Sequence, residues 1–228
     1  MSIKVIAFDA DDTLWVNEPY FQETEAKFCA LLEDFLPHHQ VSQELFKTEV
    51  QNLSLYGYGV KGFILSMVET ALRVSSKTLN IDIIEQAILY GKELLDKPIE
   101  LLDGVELVLQ SLSKKYKLVV ATKGDLLDQE RKLKKSGIDH YFHHTEIMSD
   151  KQERGYAKLT KHLEIKSEEF MMIGNSIKSD VLPVLAVGGH AVHVPYHTTW
   201  AHEKVEHNIQ QEKFRVINTL TDILPILS

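Results

Sequence analysis

Four short, nearly uninterrupted apolar runs organise the chain: Val5-Ile6-Ala7-Phe8, Leu118-Val119-Val120-Ala121, Phe170-Met171-Met172-Ile173 and Ala191-Val192-His193-Val194. Each ends at a polar or glycine-bearing turn. Runs of this kind predict strands buried on both faces, as in a parallel sheet covered by helices. Helical patterns separate them, so the reading is an α/β fold of repeated strand–helix units. Residues 125–136 are rich in charge and in good helix formers, with Gly137 placed to end that helix. Residues 181–187 predict another, ended by Gly188-Gly189, and a short strand is expected to end near Ile147.

The segment 16–98 breaks this alternation. Phe21, Phe28, Leu32 and Phe35 stand at helical spacing, as do Phe63, Met67, Ala71 and Val74. Ile84, Ile88, Gly91 and Leu95 form a third stripe, with Asn80 a suitable N-cap. Pro37 and Gly57–Gly62 punctuate the segment and Pro98 closes it. It carries twelve acids and seven bases, a net charge of −5 out of −8 for the whole chain. The expected division is an α/β core over 1–15 and 99–228, with a smaller all-helical insert over 16–98.

The 228 residues, 44% hydrophobic and 25% charged, allow such a core without disulfide staples. The single cysteine, Cys29, excludes an internal disulfide and a cysteine-rich zinc site. Thirty-three acids against twenty-five bases and a pI near 5.8 weigh against a nucleic-acid partner, which calls for a basic face. No stretch reaches the ~18 apolar residues of a membrane helix, and the start of the chain does not read as a signal peptide. The expectation is a soluble, cytoplasmic protein, monomer or homodimer, with no nucleic-acid or membrane partner.

Candidate chemistry collects where the apolar runs end. Phe8-Asp9-Ala10-Asp11-Asp12-Thr13-Leu14 follows the first run, and ligands of open α/β sheets bind outside the carboxyl ends of the strands. Two carboxylates two residues apart repel, so the turn wants a cation or a raised pKa. It also suits a solvated acidic turn or a helix N-terminus. An EF-hand loop does not fit, because its glycine and glutamate positions hold Leu14 and Tyr20. Thr122-Lys123-Gly124 offers a hydroxyl and backbone N–H groups suited to phosphate oxygens. Lys151 follows the expected short strand, and Gly174-Asn175-Ser176-Ile177-Lys178-Ser179-Asp180 follows the Met172 run.

In this set and order the chain resembles the haloacid dehalogenase superfamily. Asp9, Asp11 and Thr13 match its first motif, Asp-x-Asp-x-Thr, and Thr122 its second. Lys151 matches the third, with Lys158 the fallback, and Gly174–Asp180 the fourth. The resemblance covers essentially the whole chain and implies a Rossmann-like core with a helical cap at 16–98. It implies Asp9 as nucleophile, Asp11 as general acid and base, and Thr13 in support. Thr122, Lys123 and Lys151 would hold phosphate, and Asp9, Asp11, Asn175 and Asp180 would hold Mg²⁺. Asn175 stands where the family's pattern usually has a metal-binding aspartate, which implies weaker metal binding. The implied function is a Mg²⁺-dependent phosphatase forming an aspartyl-phosphate from a small phosphorylated metabolite. A haloacid dehalogenase, a phosphomutase and a non-catalytic phosphate sensor are the alternatives on the same fold; Asp11 disfavours the first.

Two other patterns carry less. Gly57-Tyr58-Gly59-Val60-Lys61-Gly62 has the spacing of a dinucleotide fingerprint but follows a helical pattern, not a strand; it reads as a turn or as a loop whose Tyr56, Tyr58 and Lys61 line a site. His140, His143 and His144 lack the partners of a zinc site.

Overall fold

The computed structural model describes residues 3–76, 78, 80–205 and 208–227. The chain forms two compact units, Met1–Glu18 with Ile99–Ser228, and Pro19–Pro98. Strand β1 (Val5–Phe8) opens the first. The second holds helices α1 (Glu18–Leu31, entered from the first unit), α2 (His38–Tyr56), α3 (Val60–Val74) and α4 (Ile81–Asp96). Back in the first unit the order is α5 (Val105–Leu112), β2 (Lys117–Lys123), α6 (Leu126–Ser136), β3 (His144–Met148) and α7 (Glu153–His162). It continues with β4 (Phe170–Gly174), α8 (Leu182–Ala186), β5 (His190–His193), β6 (Phe214–Val216) and α9 (Leu224–Leu227).

The strands pair in parallel in the order β3-β2-β1-β4-β5-β6. The chain winds outward from β1 through β2 to β3, then restarts at β4 on the other side of β1. That reversal opens a crevice at the carboxyl ends of β1 and β4, where side chains from successive strand ends converge. Register makes the convergence tight: Phe8 lies opposite both Val120 and Ile173, and the Asp9 N–H donates to the Ile173 carbonyl at 2.9 Å.

The runs are continuous because both sheet faces are covered. Ile6, Phe8, Leu118, Val120, Met171 and Ile173 pack on one face against Val105, Val108 and Leu109 of α5 and Leu133 of α6. Val5, Ala7, Val119, Ala121, Phe170 and Met172 pack on the other against Tyr156 and Leu159 of α7 and Val184 of α8. The expected helix over 125–136 is α6, with the Asp125 carboxylate accepting from the Asp128 N–H and Gly137 left-handed at φ 74°. The expected helix over 181–187 is shorter: Ile177–Val181 form a π-helical turn before α8 begins. Edge strand β6, only three residues long and half exposed, has no apolar run to announce it.

The helical unit has its own core, built from Phe28, Leu32, Leu45, Phe63, Met67, Ala71, Ala87 and Leu94. Asn80 caps α4 as its position suggests, its side chain accepting from the Asp82 N–H. The buried line of α4 is Ala87, Gly91 and Leu94, so Ile88 sits on its flank. Of the Gly57–Gly62 stretch, residues 57–59 join α2 to α3, with φ of 72° at Gly57 and 111° at Gly59, and the rest opens α3; what leads into it is α2, not a strand.

Gly91 sets how closely α3 and α4 approach. A Cβ there would lie 2.0 Å from Ile64 Cγ1, inside any tolerable contact. Alanine in a helix interior normally gains about 1 kcal/mol over glycine, but here overpacking prevails. Gly91→Ala is expected to lower the urea midpoint, by ~1–3 kcal/mol of stability, and to lose that penalty in an Ile64→Ala background. A stabilised single variant would contradict this packing.

Candidate active site

Lys151, in the turn between β3 and α7, extends its ammonium to two carboxylates. It donates to Asp9 Oδ1 and, at 2.6 Å, to Asp180 Oδ1. The Lys151 and Asp180 side chains are each 1% exposed, so neither charge is solvated and each depends on the other. Burial penalises the ammonium, but Asp180 and Asp9 outweigh that and hold its pKa above the usual lysine range. For Asp9 burial wins: its pKa rises to about 7, although Lys151 pulls it down. Asp180 is held by local geometry. The π-helical turn brings its Oδ2 back to accept from the Ser176 N–H at 2.9 Å, and a Cβ on Gly174 would lie 2.2 Å from that oxygen. Only glycine lets the end of β4 pass this close to the carboxylate.

Asp11 points elsewhere. Its Oδ1 accepts from Trp15 Nε1 and from Lys132 Nζ, both at 2.8 Å, and its Oδ2 from Gln129 Nε2 at 2.8 Å. Burial opposes ionisation here too, but Lys132, with the Gln129 and Trp15 donors, outweighs it and keeps the carboxyl below its usual pKa. Gln129 and Lys132 lie on α6, directly after the Thr122-Lys123-Gly124 turn. Asp12, left-handed at φ 61°, accepts from the Asn17 and Glu18 N–H groups at 2.9 and 3.0 Å and so meets backbone donors at the start of α1.

Thr13 joins the first and fourth motifs. Its Oγ1 lies 3.3 Å from both Asp9 Oδ2 and Asn175 Oδ1, and accepts from the Asn175 N–H at 3.1 Å. One hydroxyl proton serves two oxygen acceptors, so one of them keeps unfilled lone pairs. Both are hard oxygen donors of the kind Mg²⁺ takes, and in this respect the residues fit that ion. The other two residues expected at a metal are engaged: the Asp11 carboxylate by Trp15, Gln129 and Lys132, the Asp180 carboxylate by Lys151 and the Ser176 N–H. Among the described residues no group of three His, Cys, Asp or Glu side chains is arranged to hold a metal ion.

Thr122 and Lys123 end β2, and Thr122 is buried. The Lys123 ammonium pairs with Glu203 and donates to Ser179 Oγ at 2.9 Å. Glu203 also accepts from Ser176 Oγ at 2.5 Å and Ser179 Oγ at 2.6 Å. Burial is outweighed by Lys123 and the two hydroxyls, and the Glu203 pKa falls to about 2. Lys123, Lys132 and Lys151 are thus each paired with a carboxylate, while Lys178 of the fourth-motif turn donates to the His202 carbonyl at 2.9 Å.

Sequence reasoning did not reach Gln129, Lys132 or Glu203. The first two stand three apart on a predicted helix, a spacing that puts them on one face but does not say which acid they meet. Glu203 lies in an irregular segment with no periodic signal. Lys158, the fallback for the third motif, is not needed, because Lys151 makes the contact. His144 pairs with Glu146 at 2.9 Å.

The sequence matches the family model for haloacid dehalogenase-like hydrolases over residues 3–188, and the chain belongs to that family. No curated protein matches it. Among solved structures it is similar to a haloacid dehalogenase-like family hydrolase from Xanthomonas campestris, at 34% identity and TM-score 0.90, covering 99% of this chain and 91% of that one. It shares its fold with a predicted phosphoglycolate phosphatase from Haemophilus somnus, at 21% identity and TM-score 0.67 over 100% and 99% of the two chains. A 2-haloacid dehalogenase from Pseudomonas syringae pv. tomato has the same fold at 16% identity and TM-score 0.65, over 99% and 98%. No helix among the described residues is long and apolar enough to cross a membrane.

Glu203 carries a stability prediction whose sign follows from its lowered pKa. Its stabilisation is complete above the ordinary glutamate value of 4.5 and is lost as pH falls towards about 2. Glu203→Gln is expected to destabilise the protein at pH 7 by on the order of 2–3 kcal/mol. The gap to wild type should narrow steadily below pH 4.5 in urea titrations; a pH-independent gap would contradict the ion-pair account.

Proposed function

We propose that the protein is a Mg²⁺-dependent phosphatase that hydrolyses a small phosphorylated metabolite through an aspartyl-phosphate on Asp9. The observation that carries this is the pairing of Lys123, Lys132 and Lys151 with carboxylates, so that the positive charge of each is already offset. An Asp9 carboxylate attacking a phosphate dianion there meets like charge. The donors able to bring in positive charge are Asp9 Oδ2 and Asn175 Oδ1, with the main-chain carbonyl of Asp11 as a third. Mg²⁺ held by them would offset the carboxylates and draw charge from the phosphoryl oxygens.

Asp9 attacks phosphorus in line, the bond from phosphorus to the ester oxygen breaks, and the leaving oxygen takes its proton from Asp11. Lys151 holds Asp9 in place and faces the equatorial oxygens, with Thr122 beside it. Water then attacks the acyl phosphate, Asp11 takes its proton, and inorganic phosphate leaves. Asp11 favours this reading over halide displacement, since a departing halide needs no proton. The helical unit, in the place of the family's cap, would supply substrate selection.

The test is hydrolysis of an aryl phosphate with Mg²⁺, with a chelator, and with Asp9→Asn. Turnover is expected with Mg²⁺ alone and to vanish under the other two conditions. Release of halide from 2-chloropropionate in the presence of chelator would overturn the proposal. Asn175→Asp adds a carboxylate to the donors and should lower the Mg²⁺ concentration for half-maximal activity about tenfold, equivalent to ~1.4 kcal/mol; an unchanged requirement would remove Asn175 from the metal.

A further inference from the structure

We infer that Lys132, seconded by Gln129, is a positioning residue for the second half-reaction: it fixes the Asp11 carboxylate where it receives the proton of the attacking water. This rests on the phosphatase reading above. Lys132 Nζ donates to Asp11 Oδ1 at 2.8 Å and to Asn17 Oδ1 at 2.7 Å, so one ammonium spans the first-motif turn and the chain leaving it. Gln129 Nε2 donates to Asp11 Oδ2 at 2.8 Å and to the Lys123 carbonyl at 3.0 Å, tying the same carboxylate to the end of β2. With Trp15 Nε1 on Oδ1, both oxygens are restrained and the plane of the carboxylate is set. Gln129 Oε1, meanwhile, is buried and accepts no hydrogen bond from the described residues. A side chain retained only for packing has no reason to carry a buried unmet acceptor; one aimed at Asp11 does.

In the step concerned, a water oxygen bonds to phosphorus, the phosphorus–Asp9 oxygen bond breaks, and the water proton passes to Asp11. Asp9 returns as carboxylate and phosphate departs. An ester with an acidic leaving group needs no proton in the first step, so loss of Asp11 alignment shows only in the second. Pre-steady-state release of p-nitrophenol from its phosphate ester, with Mg²⁺, separates the two.

Lys132→Met keeps the aliphatic stem and removes the donor. It is expected to keep a stoichiometric burst of p-nitrophenol while steady-state turnover falls roughly tenfold, a part of the ~10²–10⁴ that acid–base catalysis contributes. Lys132→Arg should restore most of that turnover. Asp11→Asn should show the same burst, and the double variant Asp11→Asn/Lys132→Met should be no slower than Asp11→Asn alone, because Lys132 acts through Asp11. Losses that multiply in the double variant, or a Lys132→Met enzyme with wild-type steady-state rate, would overturn the inference while leaving the phosphatase reading intact. A Lys132→Met enzyme without a burst but folded, by its unfolding midpoint, would overturn it too. Wild-type protein inactive towards every phosphate ester would remove both.

Discussion

The buried bridge from Asp9 through Lys151 to Asp180 is the interaction on which the rest of the site depends. Two carboxylates lie out of water within hydrogen-bond reach of one ammonium, and such a group persists only when each member is held by something else. Asp9 is held by the register of β1 with β4, Asp180 by the π-helical turn and the bare Cα of Gly174, and Lys151 by the turn before α7. Tyr156 on α7, whose hydroxyl donates to the Ser179 carbonyl at 2.9 Å, ties that helix to the same turn. Removing Lys151 would leave two buried carboxylates facing each other, so this lysine serves the fold and the chemistry with one contact.

The charge balance around the bridge explains why the lysines do not by themselves make an anion site. Lys132 belongs to Asp11, and Lys123 to Glu203 and Ser179. Each pairing steadies a loop at a strand end and removes a free positive charge from the crevice. What remains is a carboxylate, Asp9, with Thr13 and Asn175 beside its outer oxygen. An arrangement rich in hard oxygens fits a small divalent cation. Asn175 makes the site one charge less negative than a fourth-motif aspartate would.

Much of the fold was legible because parallel strands covered on both faces leave continuous apolar runs. Phe170–Ile173 and Leu118–Ala121 announce β4 and β2 directly, and Asp125 with Gly137 marks both ends of α6. The three-residue strand β6 was not legible, since an exposed edge needs no apolar pattern. On α4 the stripe was legible at Ile84, Gly91 and Leu95, while Ile88 is exposed and Ala87 and Leu94 complete the buried face. At the site, motif spacing located Asp9, Asp11, Lys151 and Asn175, but partner choice is a property of three-dimensional reach. Lys123 read as a phosphate ligand from its place after β2, while the structure engages it with Glu203, eighty residues on.

The proposed reaction depends on Asp9 carrying the phosphoryl group. Acid-quenching the Mg²⁺-loaded enzyme during turnover of an aryl phosphate, followed by peptide mass spectrometry, tests this directly. The expected result is one added phosphoryl group on the peptide holding Asp9, absent from Asp9→Asn. Phosphoryl on another residue, with the Asp9 peptide unmodified, would contradict it.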